Sequence, residues 1–427
     1  MRKNKKRLNK KRINNNSLVD KLAFIIVLFI FSGFAMLTLK NMDMQTLIIT
    51  IAVPLIFLMS TTLIPKIFFA DKLLLSLVNF LCSLGVLVLY RMDPAKGINH
   101  AINYVVGLIA MVAIMLVVKN LSRFRKLFPI IGLFSLAMLA LPVVAGKEIG
   151  GAKAWIQIGS IGFQPSEVVK IMLVVANAYF LSKKKIFYSM AFTGMCLLLL
   201  VFQRDLGTAL LYYVVTLIMM FVASGNWTLL AGGVIGAGAV AVLGYSLLKR
   251  IGFAHLERRL LAWLNPWGNY RDAGYQTVQS LLAIVNGGAF GLGLGAGNAS
   301  QIPVKETDFI FPFILNEFGM IFGVCLVIIY IIIFLRGIAV AMRCNHRMHS
   351  LMAAGCSFFI AFQTFVIIGG NINMLPITGV TLPFVSYGGT SLLSSMGMVG
   401  VIQGIASINK RHIMQDELLA DIGEGLA

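Results

Sequence analysis

Long apolar runs recur along almost the whole chain, from near Leu22 to near Ile405. Each run is about 16–24 residues long, and a helix of that length, rising 1.5 Å per residue, crosses a hydrocarbon core of roughly 30 Å. Backbone N–H and C=O groups in lipid must bond within the protein, so such runs fold as helices. Hydrophobic residues make up 59% of the chain and charged residues only 12%. These features predict an all-α integral membrane protein.

We predict twelve transmembrane helices and one large extracytoplasmic loop, residues 249–308. The first run lies too far from a cleavage-site pattern, and is followed too soon by others, to be a removable signal peptide. The predicted spans are approximately 22–39, 47–65, 73–90, 101–118, 127–145, 167–181, 187–202, 206–224, 229–248, 309–335, 350–369 and 383–406.

The distribution of positive charge predicts the orientation of these spans. The formal net charge is +20, and a basic tail occupies residues 1–19. The connections at 119–126, 183–185 and 336–347 are also basic, and with twelve spans they fall on the same side as the tail. By the positive-inside rule that side is cytoplasmic, so both termini are cytoplasmic. In a chain this apolar we expect the tail to contact anionic membrane lipid rather than nucleic acid.

Asp308 is the most informative single residue. It stands where the large outer loop ends and an apolar stretch begins. A carboxylate at that depth is energetically unfavourable unless it has a partner or a function. We interpret it as a reaction-site residue at the membrane surface. The alternative is an interfacial acid that merely ends a helix in water.

Several cations lie close enough to the outer interface to bind an anionic substrate. Arg258 and Arg259 lie on an amphipathic stretch, and guanidinium groups bind phosphate oxygens bidentately; ordinary contact with lipid headgroups is the alternative. Glu167 and Lys170 share a helix face. Lys170 either presents its charge to a substrate or forms an internal pair with Glu167.

Three further patterns bear on the organisation of the outer face. The glycine-rich segment 287–297 lacks the ending of a P-loop, so we predict a flexible or tightly packed turn rather than a nucleotide cradle. Prolines and hydroxyl residues at 374–391 predict a broken helix around a cavity. Gly232, Gly236 and Gly244 predict close packing of the ninth span. Cysteine spacing indicates neither disulfides nor a metal site.

Six motifs in a fixed order are similar to those of the SEDS family, the RodA/FtsW/SpoVE group of bacterial peptidoglycan polymerases. Each motif is weak by itself, but the ordered set is highly specific and covers about residues 73–409. The motifs are Gly151-Ala-Lys-Ala-Trp-Ile, Phe163-Gln-Pro-Ser-Glu with Lys170, Gln203-Arg-Asp-Leu-Gly-Thr-Ala, Gly274-Tyr-Gln with its downstream glycines, Glu306-Thr-Asp-Phe-Ile-Phe and Gly379-Val-Thr-Leu-Pro-Phe-Val-Ser-Tyr-Gly-Gly.

This resemblance implies a ten-helix polymerase core at residues 71–409. Residues 20–70 would then be two additional N-terminal helices, as in some RodA-like members, and 410–427 a cytoplasmic tail. It implies a multi-pass protein of the bacterial cytoplasmic membrane that polymerises lipid II outside and releases undecaprenyl pyrophosphate. It also implies a class B penicillin-binding protein as partner, and leaves open both the role in elongation, division or sporulation and the need for a divalent cation.

Asp308 aligns with the essential acid of the family, and we expect it to be the general base. The motifs and the cations together give eight expected substrate-binding residues: Lys153, Glu167, Lys170, Arg258, Arg259, Gln276, Glu306 and Thr307. The chain departs from the family pattern at three places. They are Lys153-Ala154 for a usual Arg-Arg, Arg204 for a usual Pro, and Asn316-Glu317-Phe318-Gly319 for a usual Glu-Glu before glycine. Arg204 and Asp205 are expected to form a simple structural pair.

Two other classes of protein share some of these features. A flippase for a lipid-linked precursor would have the same cavity, cations and polyprenyl substrate, but would need charged residues that reach both faces. An ion-coupled transporter would have inverted halves, and the two halves of this chain show no repeat. A pure scaffold would not require Asp308.

Overall fold

A computed structural model describes residues 2–121, 128–159, 161–250, 254–297 and 301–426. Its architecture is nearly all helical. In the described ranges the helices are α1 (Arg2–Asn41), α2 (Met44–Phe68), α3 (Lys72–Met92), α4 (Pro94–Lys119), α5 (Phe128–Ala145), α6 (Pro165–Ser182), α7 (Ile186–Phe202), α8 (Leu206–Ser224), α9 (Trp227–Arg250), α10 (Ala254–Leu264), α11 (Tyr275–Gly287), α12 (Ile310–Met342), α13 (Arg347–Asn371) and α14 (Gly389–Leu426).

The apolar runs predicted from the sequence fall in helices. Within the described residues, nine helices are long and apolar enough to cross a membrane. Three shorter apolar helices, Ile130–Ala145, Ile186–Phe202 and Trp227–Ala239, occupy the remaining predicted positions. The all-α multi-pass membrane fold is therefore confirmed, and the exact number of spans stays a prediction.

In the described part of the chain, aspartates begin four of the candidate spanning helices. Asp43 accepts a hydrogen bond from the Thr46 amide at 3.2 Å at the start of α2. Asp71 accepts a hydrogen bond from the Leu74 amide at 3.1 Å at the start of α3, and Asp205 accepts one from the Thr208 amide at 3.1 Å at the start of α8. Asp93 caps α4 in the same way. Such caps satisfy backbone donors that the first helical turn leaves free, which explains the abrupt helix starts between apolar runs.

Helix α3 lies at the centre of one half of the molecule and is buried along nearly its whole length. The N-terminal pair α1 and α2 covers one side of it, and α4 and α12 pack beside it. Asn79 Nδ2 of α3 donates to Ser60 Oγ of α2 at 2.8 Å. The pair therefore packs as an integral part of the bundle and not as a loose addition.

A small antiparallel sheet replaces the loop expected between the fifth and sixth spans. Its order is β1 (Lys147–Ile149), β2 (Ala152–Ile158) and β3 (Ile161–Phe163). Trp155 pairs with Lys147, and Ile156 pairs with Phe163. Three short strands with tight glycine turns satisfy the backbone groups of a segment that returns to the membrane at α6.

Two details of the prediction are wrong, the start of the last span and the glycine contacts of the ninth. The last span starts at Gly389 and not at 383. Helix α1 begins at Arg2 and so includes the basic tail. A methyl group added at Gly232 or Gly236 would meet no atom of the described structure within 4 Å. The surroundings of Gly244, the third predicted glycine, lie outside the described contacts. Gly233 is the close-packed glycine of α9, since a methyl there would lie 2.3 Å from Leu217 Cδ1.

Candidate functional site

Helix α12 contains a sharp kink in its N-terminal part, at Gly319. Gly319 has φ 85° and ψ 169°, a left-handed region that favours glycine. The glycine-rich segment 287–297 pairs with this kink through its backbone: Gly293 N donates to Glu317 O at 2.9 Å, and Met320 N donates to Gly288 O at 2.9 Å. The segment is thus a tightly packed turn, as one of the two sequence interpretations predicts.

The irregular segment between α13 and α14, residues 372–388, organises the candidate site. Arg259 of α10 donates from Nη1 to the Thr378 carbonyl oxygen at 3.1 Å. A methyl group added at Gly379 would lie 3.3 Å from Arg259 Nη2 and 3.8 Å from Asp308 Oδ2. Those two charged atoms therefore lie within about 7 Å of each other, on the same side of Gly379.

The backbone on either side of Asp308 is tied to the same segment. Ser386 Oγ donates to the Thr307 carbonyl oxygen at 2.6 Å, and the Tyr387 amide donates to the Glu306 carbonyl oxygen at 2.8 Å. The main-chain carbonyl groups of Thr307 and Glu306 thus attach this stretch to the segment 372–388. Their contacts place the Asp308 carboxylate at the start of α12, half-buried.

Two opposing influences set the protonation of Asp308. Burial raises the pKa of its carboxyl above the ordinary value, because it disfavours the charged form. The Thr307 hydroxyl and the Arg259 guanidinium oppose that shift by stabilising the carboxylate. In its ionised form, a carboxylate with a raised pKa is a stronger proton acceptor than an ordinary one.

Lys96 joins this group, although the sequence motifs gave no reason to select it. Its Nζ lies 2.7 Å from Glu306 Oε1, and the two side chains are 35% and 21% exposed. Partial burial works against ionisation of Glu306, but the Lys96 ammonium outweighs it and lowers the pKa of that carboxyl. The contact spans 210 positions of sequence, so no local pattern could have indicated it.

Glu167 and Lys170 form a buried pair deeper in the bundle. Lys170 Nζ donates to both carboxylate oxygens of Glu167 at 2.8 Å and to Gln363 Oε1 at 3.1 Å. Ser394 Oγ donates to Glu167 Oε2 at 2.7 Å, and Lys170 is only 1% exposed. The geometry favours the internal pair over an ammonium presented to a substrate.

That buried pair is connected to the candidate site. Gln363 accepts from Lys170 and donates from Nε2 to the Thr381 carbonyl oxygen at 2.8 Å. Thr381 belongs to the segment that also contacts Arg259 and the residues before Asp308. The buried pair is therefore linked to the candidate site through Gln363. The sequence motifs did not indicate Gln363.

The remaining predicted residues are not gathered around Asp308 in the same way. Lys153 Nζ donates to the Val143 carbonyl oxygen at 3.0 Å, near the end of α5. Arg258 is exposed on α10, and Gln276 is half-buried on α11. Of the four cations proposed for an anionic group, Arg259 is the one that the described contacts bring next to Asp308.

The sequence predicts a pair of Asp205 with Arg204, and the described contacts join Asp205 to other residues. It caps α8 and accepts from Gln164 Nε2 at 3.2 Å. Arg204 Nη1 lies 3.9 Å from Glu148 Oε1, and both of those side chains are about half exposed. The acid at this turn therefore has a structural role in starting a helix.

The arrangement around Gly379 can carry out two chemical tasks at one point. A half-buried carboxylate can take a proton from a hydroxyl group, and a guanidinium within a few ångströms can stabilise developing negative charge on phosphate oxygens. The site lies at the N-terminal end of α12, a helix that is predominantly apolar. Its position suits a substrate with a polar head and a membrane-embedded tail.

Comparison with known proteins identifies the family of this chain. The family model for the FtsW, RodA and SpoVE cell cycle proteins matches residues 65–411. Peptidoglycan glycosyltransferase RodA of Mycobacterium leprae is 32% identical over 376 residues, which are 81% of this chain and 79% of that protein.

Two solved structures have the same fold. A peptidoglycan synthase complex, described as coordinating polymerization and crosslinking, contains a chain with a TM-score of 0.67 and 27% identity, covering 80% of this chain and 98% of that one. The crystal structure of the rod shape determining protein RodA of Thermus thermophilus gives a TM-score of 0.61 and 26% identity, covering 79% and 96%. The chain belongs to the FtsW/RodA/SpoVE family of membrane proteins.

Proposed function

We propose that this protein polymerises lipid II into glycan strands on the outer face of the cytoplasmic membrane and releases undecaprenyl pyrophosphate. The enzyme class is that of its relatives, so the chain is a peptidoglycan glycosyltransferase. What we propose is its substrate, the side of the membrane on which it acts, and the residues that catalyse the reaction. The observation that carries it is the approach of Asp308 and Arg259 at Gly379.

Asp308 is the general base in this mechanism. It takes the proton from the C4 hydroxyl of an incoming N-acetylglucosamine, and the oxygen attacks the anomeric carbon of the lipid-linked chain. The new glycosidic bond forms as the bond from that carbon to the pyrophosphate oxygen breaks, with inversion of configuration. A base positioned in this way contributes about 10²–10⁴-fold to the rate.

Arg259 is the cation that stabilises the departing pyrophosphate. Its guanidinium is held by the Thr378 carbonyl, so it need not reorganise as charge develops, and this lowers the barrier. Arg258, exposed one position away, is suited to contact headgroups or the outer pyrophosphate oxygens. Lys153 and Lys170 have internal partners, which favours structural roles for both.

A divalent cation would depend largely on the substrate for its ligands. The described residues contain no cluster of three or more His, Cys, Asp and Glu side chains that could hold a metal ion. Pyrophosphate oxygens would therefore supply most of the coordination of any such ion.

The polymerisation site is outside in this proposal, and both termini are cytoplasmic. The basic connections between the spans favour this orientation.

The partner in this proposal is a class B penicillin-binding protein that crosslinks the new strand. A structural relative with a TM-score of 0.67 is part of a peptidoglycan synthase complex that coordinates polymerization and crosslinking. The match covers 98% of that chain, so this chain contains the counterpart of nearly that whole subunit, which supports an equivalent assembly.

Purified protein in liposomes that contain fluorescent lipid II tests the proposal against lipid transport. We expect glycan ladders, with and without a stimulating partner transpeptidase, and release of undecaprenyl pyrophosphate. Transfer of lipid II between leaflets without ladders, even with the partner present, would contradict polymerisation and favour a flippase.

A further inference from the structure

The turn between α3 and α4 carries two cations that reach acidic residues on both sides of Asp308. Arg91 lies in the last turn of α3, and Lys96 lies in the first turn of α4. Their partners are Glu317 and Glu306. In the sequence, Asp308 therefore lies between two acidic residues, and both of these contact the turn between α3 and α4.

The Arg91 contact fixes the inner end of this stretch. Arg91 Nε lies 3.4 Å from Glu317 Oε1, an ion-pair contact without hydrogen-bond geometry, and the Glu317 side chain is 0% exposed. Arg91 Nη2 also donates to the Gly295 carbonyl oxygen at 3.0 Å. Glu317 lies two residues before the kink at Gly319, so this contact anchors the first part of α12 at its far end from Asp308.

The Lys96 contact fixes the outer end. Glu306 is two residues before Asp308, and its carboxylate accepts from Lys96 Nζ at 2.7 Å. Its carbonyl oxygen accepts from the Tyr387 amide at 2.8 Å. The side chain and the main chain of Glu306 are thus held from two different elements.

The turn that supplies both cations is built to be rigid. Asp93 ends α3 and also begins α4, where it accepts from the Ala95 amide at 2.9 Å. A methyl group added at Gly97 would lie 2.4 Å from Tyr90 Cα, so the two helices meet too closely for a larger residue. Tyr90 OH is also hydrogen-bonded to Thr46 Oγ1 of α2 at 2.8 Å. The spacing of Arg91 and Lys96 is therefore fixed.

We propose that Arg91 and Lys96 are positioning residues that hold residues 306–317 so that Asp308 faces Arg259. This inference rests on the proposed function of Asp308 and assigns Glu306 to positioning and not to direct contact with substrate. Misplacement of a catalytic group by about 1 Å can cost on the order of 100-fold in rate. Two anchored ends limit such movement.

An exchange of the two charges distinguishes positioning from substrate contact. We expect Lys96→Glu and Glu306→Lys to lower kcat by about 10–100-fold each, with little change in KM. The double variant restores the pair with its polarity reversed, so it recovers most of the activity. Lys147→Met, which removes an exposed cation bonded to Gln157 on the outer sheet, keeps wild-type activity.

Amide hydrogen exchange supplies a readout that does not depend on polymerisation. Peptides covering 301–309 should exchange faster in each single variant and return toward wild-type rates in the double variant. Unchanged exchange in the single variants would overturn the proposal. Restored exchange without recovered activity would also overturn it, because it would assign a direct role to one of the two side chains.

The Arg91 contact is tested with a conservative variant, since loss of its charge leaves Glu317 buried without its partner. Arg91→Lys should retain both activity and slow exchange of 301–309, whereas Arg91→Met combined with Glu317→Gln should fold with faster exchange and a lower kcat. Equal activity of that double variant and the wild type would refute the role of Arg91. An inactive wild type with the predicted exchange pattern would instead refute the function proposed for Asp308.

Discussion

The chemistry proposed for this enzyme is concentrated in two residues that are far apart in sequence. Asp308 supplies a half-buried carboxylate, and Arg259 supplies a guanidinium fixed by the Thr378 carbonyl. Arg259 affects the protonation of Asp308, because its positive charge counteracts the rise in the Asp308 pKa that burial causes. Asp308 must be ionised to accept a proton, so activity rises as pH increases through its pKa.

Substitution of Arg259 tests this coupling. In Arg259→Met the pKa of Asp308 rises because the stabilising charge is lost, so the acidic limb of the pH–rate profile moves to higher pH. The maximal rate also falls, since the pyrophosphate loses its cation. Arg259→Lys keeps the charge and should shift the limb less. The profile is measured from lipid II polymerisation at saturating substrate, and an unmoved limb in Arg259→Met would contradict the coupling.

The buried pair of Glu167 and Lys170 leads to a prediction about stability. Lys170→Met leaves the Glu167 carboxylate buried without its cation, and removing one partner of a buried pair costs about 3–5 kcal/mol. Lys170→Met combined with Glu167→Gln removes both charges and should be much less destabilising. Thermal unfolding in detergent measures both. A stable but inactive Lys170→Met protein would instead indicate that Lys170 contacts the substrate.

At the scale of elements, two irregular segments carry the site. One is the kink at Gly319, which the glycine-rich segment 287–297 covers with backbone hydrogen bonds. The other is 372–388, which contacts α10, the start of α12 and, through Gln363, the buried pair. Regular helices provide the frame, and these two interruptions bring polar groups to one place.

Glycine at position 319 is required by both backbone conformation and space. A methyl group there would lie 2.4 Å from the Ala289 carbonyl oxygen, at φ 85°, so Gly319→Ala should destabilise the protein by about 1–3 kcal/mol or more from strain alone. Gly232→Ala is the matched control, because a methyl at that helical position meets no described atom within 4 Å. Comparable thermal midpoints for the two variants would contradict this account of the kink.

Much of the architecture could be predicted from the sequence because hydrophobic length alone determines where helices cross lipid. Asp308 could also be selected as a candidate, because a carboxylate at the edge of an apolar run is unusual. The roles of Lys96 and Gln363 could not, because both depend on contacts between distant segments. The three-stranded sheet was missed because its strands are short and interrupted by glycines.

At the scale of the whole molecule, the family match begins at residue 65, yet the helices before it are tied to the core. Thr46 Oγ1 contacts Tyr90 OH, and Ser60 Oγ accepts from Asn79. Lys40 at the end of α1 donates to the Gly295 carbonyl oxygen at 3.4 Å. The N-terminal pair thus contacts both the central helix and the glycine-rich segment near Glu317.

Shortening the chain to residues 65–427 tests this integration. We expect a lower thermal midpoint, because Asn79 and Tyr90 lose hydrogen-bond partners, each contact contributing about 0.6–2 kcal/mol between membrane helices. Co-expression of residues 1–64 as a separate fragment should restore part of the loss, and the two pieces should purify together. An unchanged midpoint in the shortened chain would show that the pair is dispensable for the core.

The central claim is that Asp308 acts as the base, and its most direct test compares binding with turnover. Wild-type protein and the Asp308→Asn variant are assayed for equilibrium binding of labelled lipid II and for glycan polymerisation, with hydrogen exchange as a check of folding. The account predicts that the folded variant binds lipid II with similar affinity while its polymerisation rate falls by about 10²–10⁴-fold. Polymerisation at the wild-type rate by that variant would contradict it.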